Sequence, residues 1–386
     1  MNSNKIKLMK HLNIRILLVF FATMTSIKVS SDTFTVENKD GIGIQYEYIY
    51  DDTGFPKCVA IVGISSLPSS IALGEYFELN IPESIIYNEN EYSVTAIKMR
   101  GDYVFFISKL YIPQSIKQIS GNRFQERLKT LIFENISEIS YRASSIFSSC
   151  KLENVIVKHI NDPDDYYYRF GTSYTSNQSD IYSENTYKHA NLFVPVGTWA
   201  DFAYTTNRIP GWGNFIHIRE MAMETEELSE SRAYTLLDTK SFNYYVYDVV
   251  NNRITSRGSH SNFDESNPNN SWQIIKIDNS FALYNIGAKR YATFTTNGEL
   301  ELSIVPSILP MEDASNGIAV GNSQFGFVLN ENVNIDQSVT SIGKKVIKEK
   351  SIAKYYTIDG LNSDVPHKGL NIVRMNNGET KKILVK

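Results

Sequence analysis

The chain has 386 residues, of which 42% are hydrophobic and 12% aromatic, with 24 Tyr and 20 Phe. That length supports two or three domains with sizeable cores and the mix favours strands, which excludes disulfide-stapled miniproteins and disordered chains. The formal net charge is −4, although residues 1–31 hold Lys5, Lys7, Lys10, Arg15 and Lys28 and no acid, so the remainder is more acidic still and offers no basic groove for nucleic acid.

Residues 1–31 read as a secretory signal: a basic start, then an apolar run from Ile16 to Met24 too short for a ~30 Å hydrocarbon core, then Val29 and Ser31 at small-residue positions before a cut near Asp32. No other stretch approaches the ~18 apolar residues of a spanning helix, so no integral membrane segment is expected in the mature chain.

Between residues 80 and 220 one phrase recurs: Asn80-Ile-Pro-Glu-Ser-Ile85, Tyr111-Ile-Pro-Gln-Ser-Ile116 and Phe193-Val-Pro-Val196. The strand cores Leu110–Ile112, Leu131–Phe133, Val155–Val157 and Leu192–Val194 are spaced by 21, 24 and 37 residues, with Ile97, Ile119 and Ile139 repeating behind them. That periodicity predicts a solenoid whose coils share one interior, and proline directly after a strand, as at Pro113 and Pro195, stops the ladder where the chain turns outward. If the leucines point inward, Tyr111, Ile132, Ile156 and Phe193 line up outward as an apolar stripe and candidate protein-binding surface. The insertion before the last strand carries Tyr166, Tyr167 and Tyr168 in a Tyr/Ser/Asn/Gly mixture suited to contact loops, a second candidate. Its acids, Asp162, Asp164 and Asp165, lack the ligand ladder of a calcium loop. Trp199, Phe202, Ala203 and Thr206 give an amphipathic turn or two expected to cap the solenoid.

These repeats resemble the BspA-like branch of leucine-rich repeats, with Ser145-Ile-Phe-Ser-Ser-Cys150 in place of that family's Ala-Phe-x-x-Cys segment. The stretches Asn185–Pro195, Gly197–Phe202 and Trp212–Met221 are similar to its closing pattern. Gly101–Ile107 departs from it. The resemblance covers residues 32–222 and implies a surface protein. Cys150 is expected to be a buried small hydrophobe, and Cys58 likewise.

Glu224–Ser231 is acidic and aperiodic, which places a linker at 223–231. Residues 232–336 then alternate short Tyr-, Ile- and Val-rich strands with Asn, Gly and Ser, an all-β module. Asn270–Ile277 with Phe281–Tyr291 resembles one lobe of ricin-type β-trefoil lectins. Trp272 is expected in the core with its indole N–H satisfied, and Asp278, Tyr284 and Tyr291 are the candidates for a glycan platform. After a second linker at 337–350, residues 351–386 read as three short strands with Asp-Gly and Asn-Gly turns. They resemble the C-terminal sorting domain of type IX secretion substrates of Bacteroidetes, which implies delivery to the outer surface or medium.

The histidines, His11, His159, His189, His217, His260 and His367, are scattered, and no Gly-x-Ser-x-Gly elbow, P-loop or His-Glu-x-x-His helix occurs. The expectation is a mainly β protein: a BspA-like leucine-rich repeat solenoid, an all-β module with a trefoil-like lobe and a small C-terminal β domain. It is expected to be no enzyme and to need no cofactor or metal. Its expected role is extracellular or outer-membrane-surface binding, by adhesion of the repeat face to a protein, alternatively by glycan recognition through 232–336.

Overall fold

A computed structural model describes residues 33–71, 75–121, 124–136, 140–141, 146–160, 182–203, 212–258, 263–277, 280–295, 297–340, 344, 352–357, 360, 362–363, 367–375 and 380–385. The expected signal at 1–31, Tyr166, Tyr167, Tyr168 and Asp278 lie outside the described residues.

The chain opens with an antiparallel meander, β1 (Thr33–Glu37), β2 (Gly43–Tyr50) and β3 (Pro56–Ser66). It then winds through β4 (Phe77–Asn80), the hairpin β5 (Ser84–Tyr87) and β6 (Asn90–Ile97), β7 (Ile107–Ile112), β8 (Gln118–Ile119), β9 (Thr130–Asn135), β10 (Ser140–Tyr141), β11 (Asn154–His159), β12 (Asn191–Val194) and β13 (His217–Ala222). Strands β4, β7, β9, β11, β12 and β13 pair in parallel, in that order, to form one wall. The opposite wall is β3, β6, β8 and β10, also parallel. Parallel neighbours one coil apart in sequence are what a solenoid requires.

Register follows the repeat. Leu79, Leu110, Leu131, Val155, Leu192 and Ile218 lie side by side across the first wall. Ile97 pairs with Ile119 on the second. The next position there belongs to Tyr141, two residues beyond the expected Ile139, which lies outside the described residues. Pro113 and Pro195 end β7 and β12, and their carbonyls accept the N–H groups of Ile116 and Thr198, the same turn at equivalent points of two coils. A single apolar interior runs from Phe34 to Phe215 and includes Cys150. Where the sequence departs from the family phrase, a 3-10 helix, Asp102–Phe106, inserts Val104 into that interior.

The expected cap forms a short helix, Trp199–Ala203, which turns Phe202 inward against Trp212 while Trp199 stays 45% exposed. The sheet, however, does not stop there. Met221 and Ala222 of β13 pair antiparallel with the last strand of the second module, so one sheet of 16 strands runs through both.

That module comprises β14 (Ala233–Asp238), β15 (Asn243–Asp248), β16 (Arg253–Gly258), β17 (Trp272–Ile277), β18 (Ser280–Asn285), β19 (Arg290–Phe294), β20 (Leu300–Ser303), β21 (Met311–Ala314), β22 (Gly317–Val320) and β23 (Ser323–Leu329). Strand β14 pairs with β15, β17 and β23; β17 pairs with β18, Phe281 of β18 bridges Leu309, and β21–β22 returns the chain to β23. The hairpins β15–β16, β19–β20 and β21–β22 extend this module's sheet from β14, β18 and β23, the third with strands of only four residues. Trp272 sits fully buried at its centre, and its Nε1–H donates to the Tyr245 carbonyl at 3.1 Å. Ala222 and Leu228 belong to the same core, and Met223 is buried against the solenoid, so the expected linker at 223–231 is packed. At the other boundary, Thr340 Oγ1 accepts from Gln273 at 2.8 Å and Val339 packs on Tyr291.

The C-terminal strands β24 (Ile352–Thr357), β25 (Asn362–Ser363), β26 (Gly369–Met375) and β27 (Thr380–Val385) form a separate antiparallel sheet in the order β25, β24, β26, β27. No helix among the described residues is long and apolar enough to cross a membrane.

Candidate functional site

Strand alternation turns every second residue of the parallel wall away from the coil interior, and parallel register stacks these in rows. Tyr111, Ile132, Ile156 and Phe193 form such a row, as the spacing predicted. The row is nevertheless not an open surface. Ile132, Ile156 and Phe193 are at most 1% exposed, sealed beneath Leu237, Phe242, Tyr244, Val246 and Val328 of the second module. The hydrophobic effect is indifferent to which part of a chain supplies the cover, and each fully buried Ile or Phe is worth about 1.5–3 kcal/mol over an exposed one. Three of the four stripe residues therefore glue the two modules together, which corrects the expectation that they meet an external partner.

Polar side chains frame this seam. The Lys109 ammonium donates to the Thr239 carbonyl at 3.2 Å and lies 5.2 Å above the Phe242 ring, while Arg219 pairs with Glu265. One residue pair further along the strands, Glu134 receives two hydrogen bonds from Lys158, at 2.8 and 2.9 Å, and a short one from the Tyr111 hydroxyl. Lys158 also donates to Ser315 O at 2.8 Å, across the seam. His159 Nε2 lies 3.5 Å from carboxylate oxygens of both Glu134 and Glu224. Burial pushes the Glu134 carboxyl up, but hydrogen bonds from His159, Lys158 and Tyr111 outweigh it and bring it down to about 2. The bond to Glu134 raises His159 in turn, against its burial, and burial followed by the same carboxylate raises Tyr111. Glu134 and Lys158 belong to no sequence motif. Their signal was position, two residues beyond Ile132 and Ile156 on the same face.

The stripe reaches solvent only at the first coils. There half-buried Tyr111 borders a cleft of about 530 Å³ between the early solenoid and the β21–β22 turn. Tyr46, Ile81, Ile85 and Ile86 supply apolar wall, Ile86 being 72% exposed, and Asn316 closes the far side. Gly317 holds that turn at φ 122, where any Cβ would lie 2.5 Å from the Phe325 carbonyl oxygen. Two amide atoms of the lining residues, Asn38 Nδ2 and Asn316 Oδ1, are buried without a hydrogen-bond partner. An apolar trough with spare amide groups at its sides suits an extended peptide segment, whose backbone offers the matching donors and acceptors.

The glycan candidates fare differently. Tyr284 and Tyr291 face each other across β18 and β19 with ring centroids 5.1 Å apart, but Tyr291 is 8% exposed and packs on Val339. Burial raises both phenols. Tyr291 is therefore wall and not platform, while Tyr284 stays half-buried. Cys150 is buried, with its thiol pushed up to about 12 by desolvation, whereas Cys58 is half-buried and accepts from the Thr95 hydroxyl. Both are free.

No protein-family model matches the chain, and no curated protein matches it. Among solved structures, a leucine-rich cell surface protein from Faecalibacterium prausnitzii is similar over 57% of this chain, at 13% identity and a TM-score of 0.21. The match spans 60% of that protein's length. Likeness at this level bears on neither fold nor role, and the solenoid rests on the strand registers alone.

Proposed function

We propose that the chain is an exported binding protein of the cell surface or surrounding medium, and that it adheres to an extracellular protein through the open end of its repeat face. It acts by binding and not by catalysis. The observation that carries this reading is the cleft bordered by Ile86 and by Tyr111, the residue of the apolar row that is only half-buried while Ile132, Ile156 and Phe193 are sealed. Export rests on the apolar run Ile16–Met24, and delivery by a type IX-like route of a Bacteroidetes-type cell on the resemblance of residues 351–386 to a sorting domain. The four antiparallel strands of that segment are compatible with such a domain.

Ile86→Asp is the direct test. The side chain is largely solvent-exposed, so the fold should tolerate the change while an apolar ligand segment should not. Retention of the intact chain on immobilised extracellular-matrix proteins should be lost in I86D. Equal retention of both would remove the cleft from this reading.

A further inference from the structure

A second depression, of about 830 Å³, lies on the rim of the solenoid where β4, β7 and β9 begin, away from the seam and the cleft. Its lining includes Tyr76, Phe105, Phe106, Gln125, Arg127 and Lys129. The charges around it are settled with one exception. Glu126 takes the Lys151 ammonium at 2.9 Å, which lowers its carboxyl, and Lys129 sits 3.3 Å from Glu153. Arg127 has no carboxylate partner among the described residues. Its guanidinium rests instead on two rings, 4.8 Å from the Tyr76 centroid and 5.2 Å from that of Phe106. A guanidinium packed against aromatic rings is restrained while its N–H groups can still reach a ligand, which suits bidentate capture of a carboxylate. In an acidic protein a cation without a carboxylate partner among the described residues is a local exception.

We infer that this rim binds an acidic glycan, with the carboxylate of a sugar acid on Arg127 and the apolar C–H face of its ring against Tyr76. A sugar acid places a carboxylate and a flat hydrophobic face on one rigid unit, matching an exposed ring, Tyr76 being 58% exposed, beside a guanidinium with no carboxylate partner among the described residues. Ser108 and Gln125 line the same space and can hydrogen-bond hydroxyls. A peptide carboxylate fits less well. A flexible Asp or Glu side chain carries no rigid C–H face to lie against Tyr76 beside its carboxylate.

The test uses the full chain in native affinity gels containing polygalacturonate or neutral galactan, with titration of sialyllactose against lactose to separate uronate from sialic acid as the source. Retardation by polygalacturonate, or binding of sialyllactose, with none for the neutral counterpart, is expected. Arg127→Ala and Tyr76→Ala should each weaken it by about tenfold or more, the scale of a lost bidentate pair or stacking surface. R127K should weaken it as well, since an ammonium lacks the planar fork. Both side chains are exposed, and unchanged melting temperatures would confirm intact folding. I86D should leave this binding untouched, so failure here and failure of the cleft are separate results. Binding of neither acidic probe, equal binding of the neutral ones, or undiminished binding by R127A would overturn the inference.

Discussion

Phe193 decides whether the outward row is a surface or a seam. The residue is fully buried, flanked in register by Ile156 and Arg219 and grouped with Leu237, Phe242 and Tyr244 from the second module. Phe193→Ala removes most of an aromatic side chain from a packed site, and the covering strands are tied into a 16-stranded sheet that cannot collapse onto the hole. Transfer and cavity terms together then predict a loss of about 3–5 kcal/mol. An exposed phenylalanine would change stability by no more than about 0.5 kcal/mol. With a urea slope of about 2–3 kcal/mol/M, the unfolding midpoint should fall by about 1 M or more. Tryptophan fluorescence suits the assay because Trp212 in the solenoid and Trp272 in the second module are both buried. Combined with Leu237→Ala from the covering side, the two losses should add up to more than the double variant shows, since both open the same cavity. A midpoint for F193A that coincides with the parent's would refute the seam and restore an open stripe.

The Glu134 carboxyl, lowered from the ordinary 4.5 to about 2, contributes stability that is present above pH ~4.5 and is lost as pH falls toward ~2, so urea midpoints should drop across that window and Glu134→Gln should flatten the drop. His159 is raised, so its contribution is complete below its ordinary pKa of about 6.5 and disappears as pH climbs through the raised value; His159→Ala should remove that higher-pH limb from the same titration. Thiol titration with a disulfide reagent at pH 8 should modify Cys58 first and reach Cys150 only on unfolding, because the latter is buried with its pKa pushed up to about 12. Equal rates for the two in the native protein would contradict that burial.

Spacing alone placed Leu110, Leu131, Val155 and Leu192 in one row and Tyr111, Ile132, Ile156 and Phe193 in the next, and the parallel registers are those rows. A repeat is legible because each coil must present the same apolar positions to its neighbours, so periodicity is written into the chain itself. Trp272 was legible as core for a related reason: a large indole inside a strand of apolar residues has few other places to go. The Tyr284–Tyr291 pair was legible as a pair across β18 and β19, yet its accessibility depended on Val339, nearly fifty positions later in the chain.

What the sequence determined by itself, then, was the set of local periods: strand alternation, coil length and proline stops, all of which act between near neighbours. Only the tertiary structure decided which outward face stays wet. That choice turns on the pairing of Met221 and Ala222 with Val328 and Phe327, about a hundred residues apart, which swings the β14–β15 hairpin across the stripe. Burial is a property of whatever surface finally arrives, and no period within a strand encodes the arrival of another module. The same arrival left Ile86 and Tyr111 at an open cleft, while coil stacking at the rim left Arg127 resting on two rings without a counter-charge among the described residues.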